Sequence, residues 1–289
     1  MKKTILMMSA IALLIACTGE MKNQSTTTAE VVEQPLPRIE EGDAVANINL
    51  TVAEGKRLIA KGIANHPQIK SLLRKGTIVI TNGTTNTYIA EELVALSAPH
   101  GSFVTGHIVP DNRTNISEGL PRISYITIVD GKQVELSPGE SMKKAQKGDV
   151  VLKGANLLNY EKKQAAVCIG APSGGTMALI QETEAQVIVP VGLEKETYGD
   201  LRAYAKLFEE CPEQISPRPR IWMHSEDAEV FTEIEAIKTV AAVNVAPYAA
   251  GGVAGREGGM SLIIYGAPNE IQKALDFVAL VQGEAPFVK

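Results

Sequence analysis

Aromatic residues, cysteine and histidine are scarce in this chain: its 289 residues include 1 Trp, 5 Phe, 7 Tyr, 3 Cys and 4 His. So few cysteines exclude a disulfide-stapled scaffold. Cys168 and Cys211 stand in unrelated surroundings, with no C-x-x-C pair and no histidine at ligand spacing, so no metal site is indicated. A bridge between them is open to an exported protein, but Ala165-Ala166-Val167-Cys168-Ile169 reads as a buried strand in which cysteine is a small hydrophobe. The spacing His100-x6-His107-x3-Asp111 is neither helical nor a zinc pattern. No stretch concentrates Lys and Arg among aromatics, and the formal charge is −5, so a nucleic-acid partner is not expected. No apolar run reaches the roughly 20 residues of a membrane-spanning helix. What is there, 45% hydrophobic and 21% charged residues over this length, suits a globular protein of one large domain or two modest ones.

The N-terminus has its own logic. Lys2-Lys3 is a basic flank, residues 5–16 are apolar except for Ser9, and Leu14-Ile15-Ala16-Cys17 follows. This reads as an export signal, too short to remain in a bilayer as a span. It resembles the lipobox of bacterial lipoproteins, with a plain secretory signal or a chance apolar N-terminus with a buried cysteine as the alternatives. The resemblance implies removal of residues 1–16, lipidation (palmitate) of Cys17, and an extracytoplasmic protein of the bacterial cell envelope whose partner is a membrane. Losing Lys2 and Lys3 leaves the mature chain two charges more negative. Residues 17–45, with Ser25-Thr26-Thr27-Thr28, Pro35, Pro37 and the acids Glu40, Glu41 and Asp43, read as a disordered tether.

The body begins at Thr51, where Thr51-x-x-Glu54 is a capping box and Val52, Leu58, Ile59 and Ile63 fall on one helical face. A second helix is expected from Pro67 to Gly76. Thr77-Ile78-Val79-Ile80-Thr81 is β-branched and apolar on both faces, as a strand inside a parallel sheet would be. A helix over 86–96 follows directly. Strands are expected over 103–109, 123–129 and 133–136, the last two joined at Asp130-Gly131. The rhythm continues with strands over 150–153, 165–170 and 187–191 and helices over 176–184 and 197–210. After Pro212 it restarts with strand 220–223, helix 226–240, strands 242–246 and 260–265, and helix 269–282. This alternation predicts an α/β domain over 46–212, with a mainly parallel sheet covered by helices on both faces. A smaller α+β, ferredoxin-like subdomain is expected over 213–289.

Three strand ends gather polar groups. Asn82, Gly83, Thr84, Thr85 and Asn86 lead into a helix whose N-terminal N–H groups favour an anion, although the same side chains would also serve as plain helix caps. Gly170-Ala171-Pro172-Ser173-Gly174-Gly175-Thr176 is a second such turn, from which Ser173, Gly174, Gly175 and Thr176 are candidate ligand-binding residues. Lys153, Gly154 and Asn156 supply a third. None is a Walker A loop or a dinucleotide fingerprint, so no cofactor is expected. The glycine-rich run 251–259 leads into a strand, so it reads as a loop, with Arg256 as a possible anion contact.

At these turns the chain resembles the superfamily that contains ribose-5-phosphate isomerase, glucosamine-6-phosphate deaminase, the CoA transferases and the sugar-phosphate sensor domains of DeoR-type repressors. Residues 78–85 are similar to that family's first strand and phosphate turn, 150–156 to its middle strand and Gly-Ala-Asp loop, 170–176 to its Gly-rich turn, and Val187-Ile188-Val189-Pro190-Val191 with Glu194-Lys195 to its next strand. The resemblance covers residues 51–200 and implies a sugar-phosphate site. Two departures matter. Asn156 stands in place of the loop carboxylate, and Ala171-Pro172-Ser173 replace the lysine and part of the glycine run. An amide cannot serve as a general base. The expected function is therefore binding of a small polar or anionic metabolite, sugar or sugar-phosphate-like, by a membrane-anchored lipoprotein. The alternatives are an isomerase or hydrolase using a carboxylate such as Glu182 or Glu194, and a structural lipoprotein with a vestigial crevice.

Overall fold

The structure, a computed structural model, describes residues 38–106, 115–169, 174–213, 215 and 220–287. Strand β1 (Ala44–Leu50) precedes helix α1 (Val52–Asn65), which starts at the Thr51 capping box: Thr51 Oγ1 accepts from Glu54 N and Glu54 Oε2 accepts from Thr51 N. Then come α2 (Pro67–Leu72), β2 (Thr77–Ile80) and α3 (Thr84–Val94). Strands β3 (Ile126–Val129) and β4 (Lys132–Val134) form the hairpin expected at Asp130-Gly131. They are followed by α4 (Pro138–Lys144), β5 (Val150–Leu152), β6 (Leu157–Asn159), β7 (Gln164–Ile169), α5 (Thr176–Ile180), β8 (Gln186–Pro190) and α6 (Leu201–Glu210). The chain closes with β9 (Arg220–Met223), β10 (Glu229–Phe231), α7 (Glu233–Lys238), β11 (Asn244–Gly251), β12 (Gly259–Gly266) and α8 (Pro268–Ala279).

The architecture is mixed α/β around a six-stranded mixed sheet of order β10-β8-β5-β2-β3-β4. Strands β10, β8, β5 and β2 are parallel neighbours, while β3 and β4 run antiparallel. Every residue of β2 and β5 is buried, which is why their sequences are apolar without alternation. Leu58, Ile59 and Ile63 of α1 and Tyr88 and Ile89 of α3 belong to the same core. Two antiparallel three-stranded sheets, β1-β12-β11 and β6-β7-β9, complete the body.

Several expectations need correction. The tether does not run to residue 45, because Ala44 already pairs with Gly266 and the ladder continues to Leu50 opposite Met260. Residues 100–103 form a 3-10 turn where a strand was expected to begin, and 107–109 lie outside the described residues. The expected helix over 226–240 is β10 followed by α7, because Thr232 and Glu235 form a capping box that starts the helix only there. Helix α5 stops at Ile180, and α4 and β6 were not anticipated. The stretch after Pro212 does not stand apart: β9 joins β7, β10 joins β8, and β12 lies between β11 and β1. Residues 39–289 form one compact unit. Cys17, the signal and the tether to residue 37 lie outside the described residues, as do Gly170–Ser173, His107 and Asp111.

Candidate functional site

Parallel pairing aligns the carboxyl ends of three strands, with Ile80 opposite Leu152 and Leu152 opposite Ile188. Ligands of open α/β sheets bind at such an edge. Here the turns that follow β2 and β5 and the approach to α5 enclose a cavity of about 730 Å³. Asn82 to Asn86, Lys153 to Asn156, and Gly174 to Thr176 all line it, so the described candidates of the three turns meet in one place. Ser173 is outside the described residues.

Each turn has a distinct local cause. Asn82 Nδ2 donates to Ile123 O (2.8 Å), so its side chain is spent on a neighbouring segment and does not cap α3. No side chain caps that helix, and among the described residues the N–H groups of Thr84 and Thr85 meet no protein acceptor. They remain available, with the positive end of the helix dipole behind them. Asn86 is 1% exposed and its Nδ2 donates to Thr81 O (2.8 Å) and Leu152 O (3.0 Å), tying the ends of β2 and β5 together. Its Oδ1 is left without a partner. Gly83 has an extended backbone, φ 166°, and open space around its α-carbon, so the turn does not depend on glycine there. Gly174 is different: its φ is 72°, and a Cβ would lie 2.7 Å from the Trp222 ring.

Asn156 lines the cavity but has a structural task. Its Oδ1 accepts from Cys168 N (2.7 Å) and its Nδ2 donates to Cys168 O (2.9 Å), continuing the β6–β7 ladder by one side chain. A carboxylate at this position would lack the donor for Cys168 O. Cys168 is not bonded to Cys211, and burial pushes its thiol pKa up, so it faces the cavity as a protonated thiol.

The cavity's charge comes from lysines. Lys56 of α1 and Lys195 both pair with Glu194, at 3.0 and 3.2 Å. Burial opposes ionisation of Glu194, but Lys195 and Lys56 outweigh it and hold the carboxyl well below the usual carboxylate range. Behind them Glu233 is buried, accepts from Leu193 N (3.0 Å), and is pushed upward by burial and by the nearby Glu194. Lys153 is half-buried on the cavity wall and has no ion-pair partner among the described residues. Burial pulls its ammonium down to about 8. Beside it, His224 Nε2 lies 3.3 Å from Gly154 O, and burial brings the imidazole down to about 4, so it is neutral at pH 7.

No protein-family model, curated protein or solved structure matches this chain.

The carboxylates expected to be possible bases do not reach the cavity wall. Glu182 is exposed beyond the end of α5, and Glu194 is engaged by its two lysines. Arg256, in the β11–β12 loop, donates to Met260 O of β12 and does not line the cavity. His100 pairs with Glu91 (2.8 Å) and stacks on Phe287 at 4.7 Å, and this brings the C-terminal segment to the cavity. Lys56, Thr105, Cys168 and Phe287 were missed as lining residues. Lys56 alone had a readable signal, since it falls with Val52, Ile59 and Ile63 on the apolar stripe of α1.

Proposed function

We propose that this chain binds a small anionic metabolite, of sugar-phosphate or hydroxylated-carboxylate type, in the cavity at the strand ends. We further infer that it does so in the bacterial envelope, held to a membrane by a lipid on Cys17. One observation carries the binding reading: Lys153, an ammonium without a counter-ion among the described residues, shares a cavity with the uncapped N-terminus of α3. A partly buried cation left unpaired costs stability, and a bound anion would offset that cost. That cost also argues against a vestigial crevice, where nothing would maintain it.

The reading treats β2, β5, β8 and β10 as a parallel layer with helices on both faces, as in the isomerase and deaminase superfamily. The order of the three turns supports this kinship, and a phosphate-sized oxyanion held by backbone N–H groups would be the shared feature. An isomerase or hydrolase would need a base at the cavity wall, and neither Glu182 nor Glu194 lines it.

Thermal shift of the chain lacking residues 1–17 tests the proposal. A ligand at 100 times its Kd adds about 2.7 kcal/mol. For a body of this size that raises Tm by roughly 5–10 °C. Inorganic phosphate, sugar phosphates or hydroxy acids should shift Tm where neutral sugars do not, and Lys153→Met should remove most of that ligand-dependent shift. No response to any anion would end the binding proposal, and an undiminished ligand-dependent shift in Lys153→Met would place the pocket elsewhere.

A further inference from the structure

The three cavity lysines differ in a way that points to chemistry. Lys56 and Lys195 are committed to Glu194 through ion pairs, whereas Lys153 meets no carboxylate among the described residues. It stands just past the carboxyl end of β5 and lines the same cavity as Thr84, Thr85 and Thr176. Thr176 Oγ1 is itself hydrogen-bonded to Tyr125 OH. A lysine becomes a nucleophile when it is desolvated and free of a salt bridge, because the neutral amine is then populated near pH 7.

We propose that Lys153 is a carbonyl-capturing nucleophile that forms a Schiff base with an aldehyde or ketone carrying an anionic group. The inference rests on the anion-binding reading above. The anionic group would occupy the donors at the start of α3, and the carbonyl carbon would meet Lys153 Nζ. The amine lone pair forms the N–C bond while the carbonyl oxygen takes up a proton, giving a carbinolamine. Loss of that oxygen as water breaks the C–O bond and forms C=N. In net terms, ammonium plus carbonyl give an iminium and one water, with no oxidant or reductant. The threonine hydroxyls provide hydrogen bonds to the departing oxygen. With its ammonium pulled down to about 8, Lys153 presents far more free amine at neutral pH than an exposed lysine does.

The test is borohydride trapping on the purified full chain at pH 7.5, with pyruvate and dihydroxyacetone phosphate as separate probes, followed by peptide mapping. The expected result is one reduced adduct, on Lys153, exceeding any other lysine by at least roughly tenfold, as a desolvated amine should. Inorganic phosphate should suppress it. The better probe distinguishes a carboxylate ligand from a phosphate ligand. Labelling spread evenly over the lysines, or an unlabelled Lys153, overturns the proposal. If inorganic phosphate still raises Tm in that case, the anion-binding reading survives by itself; if it does not, both fall. Lys153→Arg keeps a positive charge at the site and cannot form the imine, so it should lose the adduct. An adduct of equal yield in that variant also overturns the proposal. The wild-type map decides the matter even if the variant does not fold.

Discussion

Lys153 is expensive to the fold, and the cost has a pH signature. Its folded pKa, about 8, lies below its ordinary value of 10.5, so the unfolded chain binds the extra proton between these two values. The penalty is therefore full below about pH 8 and disappears as pH rises toward 10.5. Discounted for the part of the side chain that faces the open cavity, it amounts to about 2 kcal/mol. Lys153→Met should thus raise Tm at pH 7 by about 4–8 °C, with the gain vanishing near pH 10.5. Thermal melts across that range check it, and a variant less stable than the parent at pH 7 would refute the account. Single residues also show where sequence reading stops. Gly83 and Gly174 both stand in the predicted turns, yet Gly83 has room for a side chain while Gly174 is required by Trp222, which lies far along the chain. Asn156 looked like a ligand contact, and its amide holds the backbone of Cys168.

Among the elements, α1 holds most together. Its Lys56 faces the cavity, while the adjacent Arg57 clamps α3 and the C-terminal segment: Arg57 Nη1 donates to Glu92 (3.2 Å), Nε to Glu284 (2.9 Å), and Nη2 to Glu91. Its guanidinium also lies 4.6 Å from the Tyr88 ring centroid. Removing it would leave three carboxylates close together in partly buried positions. Arg57→Met should cost about 3 kcal/mol, in the range for breaking a buried pair. Urea unfolding would show this as a lower midpoint at an unchanged m-value. A loss under 0.5 kcal/mol would mean that the clamp acts as an ordinary surface ion pair. Elements with strong local signals were legible: the β2 run, the α1 capping box and the Asp130-Gly131 hairpin all stand where their residues place them. Strand β10 was hidden because three residues before a helix cannot establish a period. The Thr232-x-x-Glu235 box was the readable mark of where α7 begins.

For the whole molecule, the proposed anchor has a direct test. Cys17→Ser should move the protein from the membrane fraction to the soluble fraction after cell lysis, leaving the Tm of the body unchanged. Unchanged fractionation would refute lipidation at that residue. The apolar run before Cys17, the strand-to-helix turns and the α/β alternation are local patterns of charge, size and period, and the sequence by itself determined them. Tertiary structure alone decided that β1 pairs with β12 and that three turns share one cavity. It also decided that Glu194 pairs with two lysines and that Lys153 has no ion-pair partner among the described residues. The physical reason is one of range. Backbone propensity and hydrophobic period act over a few residues, whereas pairing, desolvation and charge compensation depend on which distant segments the folded chain brings within a few ångströms.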